Sequence, residues 1–188
     1  MRPRLFFRTP RRSAPTPPGV GGRTLAMAAL LGVMAIHPAP ALAQEEQTFD
    51  DWTLSCGTPQ GAEEQICQIA QIVKNKESQK PVLAAVVVKV PGTRDAVMRF
   101  TVPLGVILPP GIRLNVDDSE EIGRAPYLVC TPQGCTGIWK LEDQAVAAFK
   151  KGLHLKVVVM DGEQRPIAVA VSLRGFTAAY NALLQKGS

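Results

Sequence analysis

The chain has 188 residues, among them 21 lysines and arginines, 16 aspartates and glutamates, and four cysteines. Six of the basic residues and none of the acidic ones lie in residues 1–43, so the remaining 145 residues carry 15 basic and 16 acidic side chains. This balance argues against a protein that binds nucleic acid through a basic face. A segment of 145 residues is long enough for one domain with a substantial apolar core.

The N-terminal segment has the pattern of a secretory signal peptide. An uncharged apolar run occupies residues 24–36 (TLAMAALLGVMAI), follows a basic stretch, and is succeeded by small residues at 41–43 (ALA). Its 13 residues are too few to span a bilayer. We therefore expect cleavage after Ala43, export, a short tail at 44–48, and no transmembrane segment in the mature chain.

Short strand-like runs with turn signals between them follow the tail. They lie at 49–56, 64–73, 81–90 and 96–102, and on both sides of the turn sequences CTPQGC and DGEQR. Two stretches, 141–152 and 176–185, have apolar residues at helical spacing instead. For residues 49–186 we predict a single, mainly β domain: an antiparallel β-sandwich of the immunoglobulin-like class with two short helices, a barrel-like closure being the alternative.

The four cysteines predict two disulfides, since their number is even and the exported location is oxidising. In CTPQGC the proline and the glycine favour a type I turn that closes a hairpin, which places Cys130 opposite Cys135 within bridging distance. Cys56 and Cys67 are expected to join the first hairpin in the same way. Crossed pairings would close longer loops and are not excluded by loop entropy; the local turn geometry favours the two intra-hairpin bridges.

Candidates for catalysis or metal binding are few. A thiol–disulfide exchanger would use Cys130 and Cys135, but the two lack the C-x-x-C spacing and Lys140 is the nearest cation in sequence. Beyond residue 43 the chain has a single histidine, His154, and the acidic cluster at 117–121 matches no calcium loop and fits a solvated loop between strands. We therefore predict no catalytic residue, no metal site and no cofactor.

The segment VPLGVILPPGI at 102–112 combines proline and glycine with strongly apolar residues. Loops are usually polar because they run over the surface. Either this segment packs across one end of the core, or it presents an apolar patch to a partner. The candidate partner-binding residues are Leu104, Val106, Ile107 and Leu108.

Several motifs together resemble the invasion-associated locus B family, over residues 47–184. They are F-x-D-W followed by Cys56 and Cys67, then PLGVILPPGI, YLVCTPQGC and SLRGFTAAYNAL. The resemblance implies a small exported β-sandwich protein of Gram-negative bacteria, named for an association with host-cell invasion and hence with virulence, and it brings no catalytic motif. We expect a non-enzymatic protein, periplasmic or associated with the outer membrane, that binds an unidentified protein or envelope component. A periplasmic thiol–disulfide or other enzyme using Cys130 and Cys135 is the alternative.

Overall fold

The structure is a computed structural model and describes residues 46–59, 61, 64–90, 92–93 and 95–186. The predicted signal peptide lies outside the described residues. Part of the predicted tail, residues 46–48, forms an exposed strand at one edge of a sheet. Within the described residues, neither helix has the length and apolar character that a membrane-crossing helix requires.

The described residues form β-strands and two helices in the following order: β1 (Glu46–Phe49), β2 (Trp52–Gly57), β3 (Ile66–Lys74), β4 (Pro81–Lys89), β5 (Ala96–Val102), β6 (Val106–Ile107), β7 (Ile112–Val116), β8 (Glu121–Ala125), β9 (Tyr127–Thr131), β10 (Gly134–Leu141), α1 (Asp143–Lys151), β11 (His154–Asp161), β12 (Pro166–Ser172) and α2 (Phe176–Lys186). One antiparallel sheet has the order β1-β2-β3-β4-β5-β10-β9. The second has the order β12-β11-β7-β8, with β6 also paired to β11.

The two sheets are continuous along one edge. Only Pro126 separates β8, which pairs with β7 in the second sheet, from β9, which pairs with β10 in the first. The backbone carbonyl of Pro126 accepts a hydrogen bond from the N–H of Ile138 in β10, at 3.2 Å. A single bent strand therefore passes from one sheet to the other at this point.

A side-chain bridge joins the sheets near the opposite edge. The Gln71 amide of β3 donates to the backbone carbonyl of Ser172 in β12 at 3.0 Å and accepts from the Ser172 N–H at 2.8 Å. The indole N–H of Trp52 donates to the same carbonyl at 2.9 Å. Since these polar groups are partly buried, the bridge satisfies backbone groups that would otherwise be costly to leave unpaired.

The core lies between the sheets and beneath the two helices. Alternation along the strands places one face inward: in β2, Trp52, Leu54 and Cys56 are buried while the residues between them are only half-buried. Helix α2 adds Phe176, whose ring lies edge-on to those of Trp52 and Phe149 with centroids 5.3 Å away in both cases. The aromatic cluster thus ties both helices to the first sheet.

The predicted fold class is confirmed: the described chain is mainly β, with antiparallel sheets, two helices and two disulfides. Helix α1 begins at Asp143 rather than at residue 141, because Leu141 still pairs with Ala96 at the end of β10. The acidic cluster lies in a largely exposed turn at 117–120 between strands β7 and β8, as expected of a solvated loop between strands.

Candidate functional site

The two disulfides join directly opposed residues of neighbouring strands. Cys56 bonds Cys67 between β2 and β3, and Cys130 bonds Cys135 between β9 and β10, with Cα atoms 4.0 Å apart in each pair. None of the cysteines is free. The intra-hairpin pairing expected from the turn geometry is confirmed, and the crossed pairings are not formed.

The turn of the second hairpin is held tightly against the neighbouring strand. Thr131 pairs with Gly134, so only Pro132 and Gln133 lie in the loop. Gly134 has φ +138°, and a Cβ atom there would stand 2.3 Å from the backbone carbonyl oxygen of Val102. Glycine is therefore required at this position, because any side chain would displace the turn from β5.

The surroundings of the second disulfide do not resemble those of a thiol–disulfide exchanger. Cys135 is buried, 3% exposed, while Cys130 is exposed on β9. Lys140 forms an ion pair with Asp95 at 3.3 Å and lies five residues along β10 from Cys135, about 16 Å at the rise of a strand. Lys140 is therefore too distant to act on the bridge, and Arg124, the charged residue nearest Cys130 in sequence, is paired with Glu121, so the arrangement suits a brace better than a redox centre.

The acidic cluster and His154, the remaining polar candidates, make contacts that hold the turn at 117–120 in place. The Asp117 carboxylate accepts backbone hydrogen bonds from Leu153, at 3.0 Å, and from His154, at 2.8 Å, which lower its pKa. The His154 ring is 55% exposed, with its Nδ1 atom 4.0 Å from the Asp117 carboxylate. Asp118 pairs with Lys156. Among the described residues, no group of three or more potential ligands converges to hold a metal ion.

The Asp117 contacts predict a stability that declines in acid. A carboxylate whose pKa is lower in the folded than in the unfolded state stabilises the fold above its unfolded pKa, and this contribution is lost as the pH falls through the folded value. We expect the free energy of unfolding, measured with denaturant between pH 6 and pH 2.5, to fall less steeply with decreasing pH in Asp117→Asn than in the parent chain. Asparagine also tolerates the φ of +50° at this position.

Asp118→Asn is the matched control, because Asp118 is its neighbour in the same turn but its side chain is 98% exposed. If Asp118→Asn reduces the fall in unfolding free energy at acid pH as much as Asp117→Asn does, the fall cannot be assigned to Asp117.

The apolar segment 102–112 neither packs fully into the core nor lies fully on the surface. Its middle residues, Val106 and Ile107, form β6, pair with Asp161 and Met160 of β11 and are half-buried. Leu104 and Leu108, on either side of β6, are 57% and 43% exposed. The structure therefore separates the four candidate binding residues into two that anchor the segment and two that face solvent.

Leu104 stands at the mouth of a pocket between the two sheets. The pocket has a volume of about 300 Å³, and its walls come from β4, β5, β11 and β12. Asp161 is the only charged residue among those that line it, and its side chain pairs with Arg165 at 2.8 Å. The other lining residues are aliphatic, proline or glycine: Val82, Val102, Pro103, Leu104, Gly105, Val106, Val157, Val159, Ile167 and Val169.

Leu108 lines a second and larger hollow of about 590 Å³, which we call the β9 trough. One wall is formed by the chain segment before β7 and the other by β9 with the end of β8. Leu128 and Val129 of β9 are 69% and 48% exposed. The lining residues are Leu108, Pro109, Pro110, Gly111, Arg124, Pro126, Tyr127, Leu128, Val129 and Cys130.

The polar groups at the β9 trough are neutralised or turned away. Arg124 forms an ion pair with Glu121 at 2.8 Å and donates a hydrogen bond to the carbonyl oxygen of Pro110 at 2.8 Å. The hydroxyl of Tyr127 is buried without a hydrogen-bond partner among the described residues, and burial raises its pKa. The trough thus presents mainly apolar surface to solvent.

Leu128 and Val129 were not predicted as binding residues. The run YLVC has the pattern of an ordinary strand, and a strand of this composition is equally compatible with burial in the middle of a sheet. Its lack of charge, next to the proline-rich segment, is the only feature of the sequence that could have indicated an apolar site.

The fold and its surface define a class: a small antiparallel β-sandwich, braced by two disulfides, with apolar hollows beside a proline-rich segment. The sequence model of the invasion associated locus B (IalB) proteins matches residues 52–184. The chain belongs to this family, and the resemblance noted from its motifs is confirmed.

Known relatives cover most of the chain. It is 30% identical over 156 residues to an invasion protein B homologue of Brucella abortus, an alignment that spans 82% of this chain and 87% of the relative. It is 29% identical over 145 residues to invasion protein B of Bartonella bacilliformis, across 74% and 76% of the two chains. The crystal structure of invasion associated protein b from Bartonella henselae superposes with a TM-score of 0.67 at 27% identity, covering 76% of this chain and 99% of that one.

Proposed function

We propose that this protein is exported to the periplasm or the outer membrane and acts there by binding another protein or an envelope component, without catalysing a reaction. The observation that carries the proposal is the exposed apolar surface formed by Leu108, Leu128 and Val129 around the β9 trough. Exposed apolar side chains gathered in one place are a feature of interaction sites.

The use of the polar residues supports a binding role over an enzymatic one. The cysteines are consumed in disulfides, and the carboxylate of Asp117 is bound to backbone N–H groups. His154 approaches Asp117, and neither residue is among those that line either hollow. The cysteines and Asp117, which the sequence offers as candidate reactive groups, are therefore engaged in holding the fold.

The names of the relatives suggest the setting of this binding. Invasion protein B of Bartonella bacilliformis and its Brucella abortus homologue are named for invasion. A role in host-cell interaction, or in maintaining the envelope that such an interaction requires, follows for this chain as part of the same proposal. The two disulfides agree with an oxidising compartment outside the cytoplasm.

Crosslinking in the intact envelope tests the binding role. We expect Leu128→Asp to reduce the crosslinked species recovered with the protein at least tenfold, because a carboxylate in the trough would have to be desolvated in the complex. The melting temperature should change little, since Leu128 is 69% exposed and exposed substitutions usually cost no more than about 0.5 kcal/mol.

Ile72→Asp is the matched control, because Ile72 is 58% exposed on β3 and lines neither hollow. Equal recovery of crosslinked species from the parent and from Leu128→Asp would exclude the trough as the binding surface. In that case Leu104→Asp would test whether the inter-sheet pocket, which Leu104 lines, is the binding surface instead.

A further inference from the structure

We propose that the β9 trough takes up an extended, uncharged peptide segment of the partner, which adds to the first sheet as a strand beside β9. This inference rests on the proposed binding function and names the kind of segment that is bound. Four features support it: β9 has an unpaired backbone edge, prolines interrupt the opposite wall, the trough has no unpaired charge, and the open edge is short.

The backbone of β9 has an open side that faces the trough. Among the strands that the structure describes, β9 is the last of its sheet and β10 is its only neighbour. The Cα separation of 4.0 Å between Cys130 and Cys135 is that of a non-hydrogen-bonded antiparallel pair, whose N–H and C=O groups point away from each other. The backbone groups of Cys130 are therefore directed away from β10, and Cys130 lines the trough.

The opposite wall cannot supply the missing strand. The β7–β8 ladder ends at the pair Ile112–Ala125, and continuing its register would place residues 108–111 beside residues 126–129. Pro109 and Pro110 interrupt that register because proline has no N–H to donate. The chain diverges there, and the trough of about 590 Å³ occupies the resulting gap.

A bulge in β9 adds apolar side chains to the trough. The β9–β10 register shifts between Thr136, which pairs with Val129, and Gly137, which pairs with Tyr127, so Leu128 has no directly opposed residue. Successive residues of a regular strand point to opposite faces, whereas a bulge redirects one of them. Leu128 and Val129 consequently both line the trough, where a strand beside Cys130 would meet their side chains.

The charge of the site selects an uncharged occupant. Neither β9 (Tyr127–Thr131) nor the wall at 108–111 contains Asp, Glu, Lys or Arg, and Arg124 is already paired with Glu121. Exposed sheet edges in natural proteins commonly carry charges that prevent pairing with other strands. β9 lacks this protection. Arg124 is the one charged residue that lines the trough, and because it is already paired with Glu121, a charged residue of a ligand would find no unpaired counter-ion there.

The length of the open edge argues for a peptide segment rather than for a second copy of the chain. Five residues of strand extend about 16 Å, and the bulge at Leu128 shortens the regular part further. A contact confined to such an edge does not reach the ~1,000 Å² expected of a specific protein–protein interface. A short strand lying in the trough needs no larger area, because it makes its backbone hydrogen bonds to β9 and its apolar contacts with both walls.

The test measures amide hydrogen exchange by NMR on the disulfide-bonded protein. The probe is an acetylated and amidated heptapeptide of alternating threonine and valine, which is uncharged and strand-forming. At saturating peptide we expect exchange of the Cys130 amide to slow at least tenfold, and binding to weaken at least tenfold in Leu128→Asp but not in Ile72→Asp. The same peptide with every amide N-methylated should give no protection, because the methyl groups on both of its edges keep it from pairing with β9.

Each other outcome would overturn the inference. Equal protection of Cys130 by the N-methylated peptide would mean apolar contact without strand pairing. Protection of Cys130 without peptide, rising with protein concentration, would identify a second copy as the occupant. If the peptide leaves Cys130 unprotected while Leu128→Asp still abolishes crosslinking in the envelope, strand addition is wrong and the proposed binding function stands; if both experiments fail, both proposals are wrong.

Discussion

Replacing Phe176 by alanine is expected to lower the free energy of unfolding by about 3–5 kcal/mol, the cost of a large aromatic side chain removed from a packed core. Phe176 has no exposed surface, and its ring contacts those of Trp52, Phe149 and Tyr180 at centroid distances of 5.3, 5.3 and 5.5 Å. It is also the first residue of α2. The substitution therefore creates a cavity and loosens the contact between the helix and the first sheet.

Urea unfolding followed by tryptophan fluorescence measures this effect directly, because Trp52 lies against the altered ring. The midpoint of thermal unfolding should fall by on the order of 10 °C. Ile72→Ala, on the solvent side of β3, should cost about 0.5 kcal/mol and controls for the loss of apolar surface alone. A cost below 1 kcal/mol for Phe176→Ala would contradict the packing of α2 against the first sheet.

Removing the disulfides should destabilise the protein in the order of their loop lengths. The bridges close loops with sequence separations of 11 (Cys56–Cys67) and 5 (Cys130–Cys135). Chain-entropy arithmetic then gives losses of about 3 and about 2 kcal/mol for the paired cysteine-to-serine variants. Guanidinium unfolding of both double variants, beside the parent under the same oxidising conditions, measures the difference.

The Cys130→Ser/Cys135→Ser variant also separates a brace from a redox centre. If the bridge only stabilises the hairpin, envelope function should fall in proportion to stability and should recover at lower temperature. Cys56→Ser/Cys67→Ser serves as the matched control, because it should behave in the same way with a larger shift. A Cys130→Ser/Cys135→Ser protein that stays folded and keeps its crosslinked species, yet has lost all function beside an active Cys56→Ser/Cys67→Ser protein, would favour the thiol–disulfide alternative.

The local features of the candidate site could be predicted, whereas its assembly could not. The apolar character of 102–112 is evident in the sequence, but that Leu104 and Leu108 serve two different hollows depends on β6 pairing with β11, about fifty residues further along the chain. Leu128 and Val129 are missed because a short apolar strand has the same pattern in the middle of a sheet and at its edge. Whether such a strand is buried or exposed depends on whether another strand lies beside it in the folded sheet.

The amino-acid sequence is sufficient to predict the family, the mainly β class, the helices at 143–151 and 176–186 to within a few residues, and both intra-hairpin disulfides. These depend on local chemistry: alternating apolar residues, charges matched to the ends of α1, and a Thr-Pro-Gln-Gly turn between Cys130 and Cys135. Three features become visible only in the folded chain: the passage of one strand between the two sheets at Pro126, the Gln71 bridge to Ser172, and the open edge of β9. Strand order arises from long-range pairing, for which hydrophobic periodicity carries no information beyond which face is buried.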